Sequence, residues 1–180
     1  MNDKKISWKD VRAKLTLCSE RDLLTLISNL YSLDAKNKRF LEARFLSKKD
    51  SLTSYKKIIH ESVHPDVEKP FQLREGRNAI AEYKKATGNI EGTIDLMIYY
   101  VECGTEFTLE YGDIDGPFYN SLGSMFETAA QLLKKADARI IKKILPRLLE
   151  LVSATRSMGW GYHDYLADAL HEAFPDAAEQ

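Results

Sequence analysis

Apolar residues recur every three or four positions along nearly the whole chain, which is the spacing of one face of an α-helix. After Ser19, for example, Leu23, Leu26, Ile27 and Leu30 keep this rhythm. No segment alternates apolar and polar residues convincingly over the length of a strand. The pattern therefore predicts an all-α fold.

Residues that start and stop helices divide this pattern into about nine elements. The predicted helices span 8–15, 20–32, 35–46, 48–64, 73–87, 90–111, 118–136, 138–155 and 162–174. Ser7, Ser19, Asp34, Ser47 and Asp137 are their predicted N-terminal caps. Pro146 falls inside the eighth helix, where we expect a kink near Lys142.

The chain of 180 residues is long enough to bury one core, and the connections between the predicted helices are short. We therefore predict a single domain over 1–180, with frayed ends at 1–6 and 175–180. Short connections favour antiparallel helix pairs. These pairs would either stack as a short solenoid or close as a bundle.

Net charge, the lengths of apolar runs and the two cysteines exclude several classes of function. The formal net charge of -1 provides no overall attraction to nucleic acid or to acidic membranes. Neither a signal peptide nor a run of about 20 apolar residues is present, so we expect a cytoplasmic protein that does not bind membranes. Cys18 and Cys103 lack metal-ligand spacing and fit reduced thiols.

Charge is unevenly distributed along the chain. Between Ala86 and Leu133 there are eight acidic residues and no Lys or Arg, whereas Lys36 to Lys85 carries 13 basic residues and seven acidic ones. We expect the two segments to complement each other within one fold, with an exposed acidic face as the alternative. A later basic cluster is interpreted as a solvated face, which makes nucleic-acid binding unlikely as a function. That cluster comprises Lys134, Lys135, Arg139, Lys142, Lys143 and Arg147.

The predicted helix 90–111 places acidic residues along one stripe and apolar residues on the opposite side. The stripe contains Asp95, Glu102, Glu106 and Glu110, and the apolar side contains Leu96, Met97, Tyr100, Val101, Phe107 and Tyr111. A row of carboxylates suits a basic partner segment, or a metal ion that prefers oxygen ligands. Internal pairing with Arg77, Lys84 or Lys142 would remove it as a binding surface.

Two short segments extend the candidate site. In YGDIDGP, Asp113 and Asp115 would join the carboxylates, or would simply form side-chain turns and cap the next helix. In GWGYHD, Trp160, His163 and Asp164 would line a pocket, or would plug the core and cap the last helix.

The run His60-Glu61-Ser62-Val63-His64 fits the H-E-x-x-H pattern of zinc peptidases. Pro65 follows at once, which places His64 at a helix end, and no downstream ligand motif accompanies the pair. Zinc at His60, Glu61 and His64 is therefore only an alternative, and no cofactor is expected.

The run from Glu82 to Ala129, together with GWGYHDYLADAL, resembles a family of small bacterial cytoplasmic proteins known only as a domain of unknown function. The resemblance covers about Tyr55 to Phe174, and YGDIDGPFY and GWGYHD are its most specific segments. It implies an all-helical fold and no assigned activity. HESVH lies outside the typical pattern, and Gly116 stands where the family would have Glu.

The resemblance also implies where a site would lie. The candidate binding residues are Asp95, Glu102, Glu106, Asp113, Asp115, Tyr119, Trp160, His163 and Asp164. The preferred hypothesis is a non-enzymatic interaction module whose acidic helix face binds a protein partner or another copy of the chain. The alternative is a carboxylate and histidine metal site, either of a metal-binding protein or of a metal-dependent hydrolase.

Overall fold

The computed structural model describes residues 6–46 and 48–178, and every regular element within them is a helix, which confirms the all-α prediction. The helices in these ranges are α1 (Trp8–Leu15), α2 (Glu20–Leu33), α3 (Ala35–Phe45), α4 (Lys48–Val63), α5 (Leu73–Thr87), α6 (Ile90–Tyr111), α7 (Gly116–Lys134), α8 (Ala138–Ala154), α9 (Tyr162–Ala173) and α10 (Pro175–Ala178). The predicted cap Ser47 lies outside the described residues.

All nine predicted helices are present, with ends that agree to within two residues. Local side-chain bonds explain this agreement. Ser19 and Asp22 form a reciprocal capping box, and Asp137 Oδ1 accepts a hydrogen bond from the Ile140 N–H at 3.0 Å. α8 continues through Pro146 as one helix. The tail differs from the prediction, because α10 forms a helical turn where fraying was expected.

α6 is the centre of the fold. Thirteen of its 22 residues are buried, and it contacts α4, α5, α7 and α8. Gly104 allows α7 to approach closely, because a Cβ atom there would lie 2.5 Å from Leu122 Cδ2. In a solenoid each repeat touches only its neighbours along the chain, so this arrangement is closer to a bundle around a central helix.

The two cysteines occupy opposite environments. Cys18 is exposed just before α2, whereas Cys103 is buried in α6. Burial raises the pKa of the Cys103 thiol to about 12. Cys103 is therefore an inert core residue, and Cys18 is the accessible thiol.

The N-terminal helices are the least buried part of the described chain. Neither α1 nor α2 has a buried residue, and α3 has one, Ala43. α2 packs against α3, which in turn packs against α4 and α5. The first two helices therefore project from the core instead of contributing to it.

Candidate functional site

The first half of the acidic row on α6 is paired within the protein. Arg147 of α8 donates two bonds to Glu102, from Nε and Nη2 at 2.8 Å each, and a third from Nη1 to Asp95 Oδ1 at 2.5 Å. Lys56 of α4 completes the cluster, with its Nζ 2.9 Å from Asp95 Oδ2. One planar guanidinium thus holds two carboxylates, in the forked geometry that arginine provides.

This cluster is half-buried, with about a quarter of each side chain exposed at Asp95, Glu102 and Arg147. Burial alone would raise the pKa of Asp95, but hydrogen bonds from Lys56 and Arg147 outweigh it and hold that pKa below its ordinary value. Burial likewise opposes the charge of Arg147, whose pKa its two carboxylate partners nevertheless raise. Each charged group therefore stabilises the charged form of its partner. A basic protein segment could bind Asp95 or Glu102 only if it displaced Arg147.

The pairing continues towards the start of α6. Glu91 accepts bonds from Lys143 Nζ at 2.8 Å and from Arg139 Nη2 at 3.1 Å, and the Lys143 bond is the main cause of its lowered pKa. Residues near the start of α6 pair with residues near the start of α8, and later residues of α6 pair with a later residue of α8. The two helices therefore run parallel. Arg139, Lys143 and Arg147 lie four residues apart on one stripe of α8 and face the acidic row.

The sequence predicted that these cations form a solvated face, and Arg139 and Lys143 are indeed mostly exposed, but the prediction is wrong for Arg147, whose side chain is 28% exposed. The expected partners of the row also differ, because Arg77 donates instead to the carbonyl oxygen of Ser121 at 3.0 Å. The basic segment Lys36 to Lys85 supplies Lys56, but α8 supplies the rest. The matching spacing of the stripes on α6 and α8 was the signal that would have identified them.

The second half of the row is more open. Glu106 is exposed and has no cation within ion-pair distance among the described residues. Glu110 lies 3.3 Å from His64 Nε2. α6 rises roughly 24 Å from Asp95 to its last residue, Tyr111, and Asp113 lies beyond that end. The carboxylates predicted to form one site are therefore spread along the molecule.

The HESVH histidines do not converge on a point. The rings of His60 and His64 stack, with centroids 4.9 Å apart and planes 10° apart, and Glu61 lies 3.9 Å from Lys57. Among the side chains that the structure describes, no three His, Cys, Asp or Glu are placed to hold a metal ion. This finding applies to the HESVH alternative and to the carboxylate and His163 alternative alike.

The GDID and GWG segments pack against each other. Asp113 Oδ1 accepts a bond from the Tyr119 hydroxyl at 2.5 Å and one from the Gly159 N–H at 3.3 Å. Asp115 caps α7 by accepting from the Phe118 N–H at 2.9 Å, as the local alternative predicted. Burial, followed by the bond to Asp113, raises the pKa of Tyr119. Asp113, Tyr119 and the GWG turn are thus one structural unit.

Trp160 lies at the surface of this unit. Its ring covers Gly116, where a Cβ atom would be 3.6 Å from Trp160 Cε3, yet 67% of the residue is exposed. Its φ of 60° is left-handed, a conformation that costs roughly 1–2 kcal/mol for a residue with a Cβ atom. Trp160 therefore lies on the core surface and does not plug the core.

His163 and Asp164 are separated from the acidic row. Nδ1 of His163 lies 3.1 Å from the Val152 carbonyl oxygen and 3.2 Å from Thr155 Oγ1, while Asp164 is exposed in the first turn of α9. His163 lines a groove of about 640 Å³ between α8 and α9. The groove walls are mainly apolar, with Arg156 and Asp176 also in the lining.

The apolar face of α2 was not predicted to be a site. Seven of its 14 residues are apolar, and at 100° per residue they cover about half of its circumference. They are Leu23, Leu24, Leu26, Ile27, Leu30, Tyr31 and Leu33. None is buried, Leu23 is half-buried, and the exposed fractions of the others run from 37% at Tyr31 to 76% at Leu33. The helical rhythm was visible in the sequence, but the incomplete cover that α3 provides was not.

None of the described helices combines the length and the apolar character needed to cross a membrane. The likeness of YGDIDGPFY and GWGYHD to an uncharacterised bacterial family stays a prediction. No protein-family model, curated protein or solved structure matches this chain.

Proposed function

We propose that this protein is a non-enzymatic protein-interaction module and that the apolar face of α2 is its binding surface. The observation that carries the proposal is that, within the described residues, α3 covers this face only in part, so that six of its seven apolar residues remain 37–76% exposed. Exposed apolar patches of this kind mark interaction sites in soluble proteins. The expected partner presents an apolar helix face of its own.

The stability of α2 supports this proposal. An isolated helix of about 12–15 residues is marginal in water, and most helices owe their stability to packing of an apolar face. A capping box from Ser19 and Asp22 stabilises the start of α2, and α3 contributes two bonds: Tyr31 donates its hydroxyl to Glu42 at 2.8 Å, and Asn37 Nδ2 donates to the Leu30 carbonyl oxygen at 3.0 Å. A partner that covers the rest of the apolar face would add packing that α3 does not provide.

The acidic row is a weaker candidate for the same role. Asp95 and Glu102 are already bonded to Arg147, so a basic ligand gains little there until that bond breaks. Glu106 is the open member of the row, and a single exposed carboxylate contributes little affinity. The sequence predicted a binding surface on the acidic face of α6, and we propose instead that the binding surface is the apolar face of α2.

The proposal is tested by photo-crosslinking in living cells. The photoreactive residue p-benzoylphenylalanine replaces Leu30 on the apolar face, or Thr25 on the opposite side of α2 as the matched control. We expect a crosslinked product, with another protein or with a second copy, at Leu30 only. Equal products at both positions, or none at Leu30, would contradict the proposed function.

Any captured partner is then purified and titrated against this protein by calorimetry. Leu26→Glu/Leu30→Glu places two charges on the apolar face and is expected to weaken binding at least about 100-fold. Leu109→Glu is the control, because Leu109 is an exposed apolar residue of α6 and remote in sequence from α2. Similar weakening by both variants would show that binding does not depend on α2.

A further inference from the structure

We propose that the groove between α8 and α9 binds an unbranched aliphatic monocarboxylate, with its carboxylate at Arg156 and its alkyl chain along the apolar walls. This proposal goes beyond the interaction function and is independent of it, because no residue of α2 lines the groove. The shape of the groove, the charges at its two ends and the bonding of His163 support the proposal.

The walls of the groove are apolar stripes on two antiparallel helices. Val152, near the end of α8, lies beside His163, at the start of α9, and the chain turns back between them. Residues of each stripe follow one another at three or four positions, as they do on one face of a helix. The stripes are Leu145, Leu149 and Val152 on α8, and Ala167 and Leu170 on α9. The groove therefore runs along the helix pair and has two distinct ends.

The length of the groove suits a chain of about 12 carbons. Leu145 and Ser153 are eight positions apart on α8, which is roughly 12 Å along the helix axis, and Arg156 extends the lining beyond Ser153. With C–C bonds of about 1.5 Å, an extended chain of 12 carbons is about 14 Å long. The volume of about 640 Å³ also lies within the range of roughly 300–1,000 Å³ that is typical of small-molecule sites.

The end of the groove near the connection between α8 and α9 carries an unpaired cation. Arg156 is exposed, and its guanidinium has no hydrogen bond or ion pair with any described residue. In contrast, Arg139 and Arg147 are both bonded to carboxylates of α6. A guanidinium can hold a carboxylate through two parallel hydrogen bonds. This end of the groove therefore suits an anionic head group.

His163 adds a second polar group at the same end. The Val152 carbonyl oxygen can only accept, so Nδ1 of His163, 3.1 Å away, carries the ring proton. Nε2 is then the ring nitrogen that no described residue bonds. A neutral ring accepts there from a carboxylic acid, and a charged ring donates there to a carboxylate. One proton shared between ring and head group thus forms the hydrogen bond in either case.

The opposite end of the groove carries a negative charge. Asp176 belongs to α10, which follows the end of α9 close to Leu170, and it is exposed with no ion pair among the residues that the structure describes. A second carboxylate at the far end of a ligand would be repelled there. The groove is therefore expected to distinguish a monocarboxylate, whose tail is neutral, from a dicarboxylate of the same length.

The first test is calorimetry of the purified full-length protein with dodecanoate at pH 7, below the concentration at which dodecanoate forms micelles. We expect one dodecanoate per chain, with a Kd in the micromolar range. Dodecyltrimethylammonium has the same tail and the opposite charge, and should bind at least about tenfold more weakly. Equal affinities for the two compounds, or no binding of dodecanoate, would overturn the proposal.

Three variants locate the bound chain. Arg156→Gln retains an exposed polar side chain and should weaken dodecanoate at least about tenfold. Ala167→Phe fills the groove and should abolish binding, with unchanged helical circular dichroism as the check that it folds. Leu26→Glu/Leu30→Glu is the control, because it alters the apolar face of α2 and should bind dodecanoate as the wild type does. Wild-type affinity in Arg156→Gln, or loss of binding in the α2 control, would overturn the proposal.

The far end of the groove is tested with a second ligand. Dodecanedioate should bind at least about fivefold more weakly than dodecanoate, and Asp176→Asn should remove this difference. Methyl NMR of the wild type should show dodecanoate shifting the signals of Leu149, Val152 and Leu170. Shifts confined to leucines outside the groove, or a preference for dodecanoate that persists in Asp176→Asn, would overturn the assigned orientation of the chain.

Discussion

At the scale of single residues, Arg147 makes three hydrogen bonds to carboxylate oxygens. It joins α8 to two carboxylates of α6, and all three side chains are about three-quarters buried. A buried ion pair adds little stability compared with apolar residues that replace the whole cluster. Removal of one partner alone, however, leaves the other charges desolvated and unpaired. Replacement of Arg147 should therefore lower the stability of the fold, even though the intact cluster itself adds only modestly to that stability.

Replacement of Arg147 by Met keeps the packing of its stem and removes its charge. We expect the free energy of unfolding to fall by about 2 kcal/mol at pH 7, measured by urea denaturation. Because the pKa of Asp95 is lowered in the folded state, the stability from this pairing is present above the ordinary Asp value of 3.8 and is lost as pH falls through the lower folded value. The difference between wild type and variant should therefore shrink below about pH 4.

Arg139→Ala is the matched control for this comparison. Arg139 also bonds a carboxylate of α6, but 71% of its side chain is exposed, so its removal should cost less than about 0.5 kcal/mol. If Arg139→Ala lowered the free energy of unfolding as much as Arg147→Met, burial would not explain why the Arg147 bonds matter more. So would a difference between Arg147→Met and wild type that stays constant down to about pH 3.

At the scale of elements, the contact between the GDID loop and the GWG turn joins the end of α6 to the start of α9. The contact depends on Gly159, because a Cβ atom there would lie 2.7 Å from Asp113 Oδ2. The same carboxylate accepts the Tyr119 hydroxyl. A methyl group at position 159 would therefore push Asp113 away from Tyr119 and separate the two segments.

A double-mutant cycle tests this connection. Tyr119→Phe should lower the free energy of unfolding by about 1 kcal/mol in the wild-type background, because it removes the shorter of the two hydrogen bonds that Asp113 accepts. In the Gly159→Ala background the same change should cost clearly less, since the bond is already broken. Equal costs in both backgrounds would show that Gly159 and Tyr119 act independently.

Gly161→Ala is the control that distinguishes the loss of this contact from the cost of backbone strain in the same turn. Gly161 has a φ of 68°, and no atom lies within 4 Å of the position that a Cβ atom would take. Its replacement should cost about 1 kcal/mol through the backbone alone and should be additive with Tyr119→Phe. Coupling between these two positions would instead indicate that the whole turn moves.

Elements were predicted better than the contacts between them, for a physical reason. Helix starts depend on residues within three positions of each other, such as Ser19 with Asp22 or Asp137 with Ile140, so the sequence displays them directly. The bond from Arg147 to Glu102 spans 45 positions and exists only because α6 and α8 run parallel. Residue types alone could not distinguish it from a solvated basic face.

At the scale of the whole molecule, burial falls from α6 at the centre to α1 and α2 at the edge. The periodicity that predicted α2 also suggested a core-facing stripe, yet α3 covers that stripe only in part and leaves none of its residues buried. Whether an amphipathic face is covered is decided by tertiary or quaternary packing, which local pattern does not encode. The most exposed apolar surface was consequently absent from the candidate site derived from the sequence.

Hydrogen exchange should follow the same gradient. At about 1 µM protein, backbone amides of α1 and α2 are expected to exchange orders of magnitude faster than those in the middle of α6, because few apolar contacts oppose local opening. Mass spectrometry of peptides from the exchanged protein measures this difference. Equal protection of α2 and α6 at this dilution would contradict the view that α2 is only weakly packed within the chain.

The parallel arrangement of α6 and α8 has an electrostatic consequence beyond the ion pairs themselves. Parallel neighbours place like ends of their macrodipoles side by side, so two partial positive charges of about half a unit meet where both helices begin. Glu91 lies in the first turn of α6 and is bonded to Arg139 and Lys143 near the start of α8. Its carboxylate therefore offsets the repulsion between two helix ends as well as the charge of two side chains.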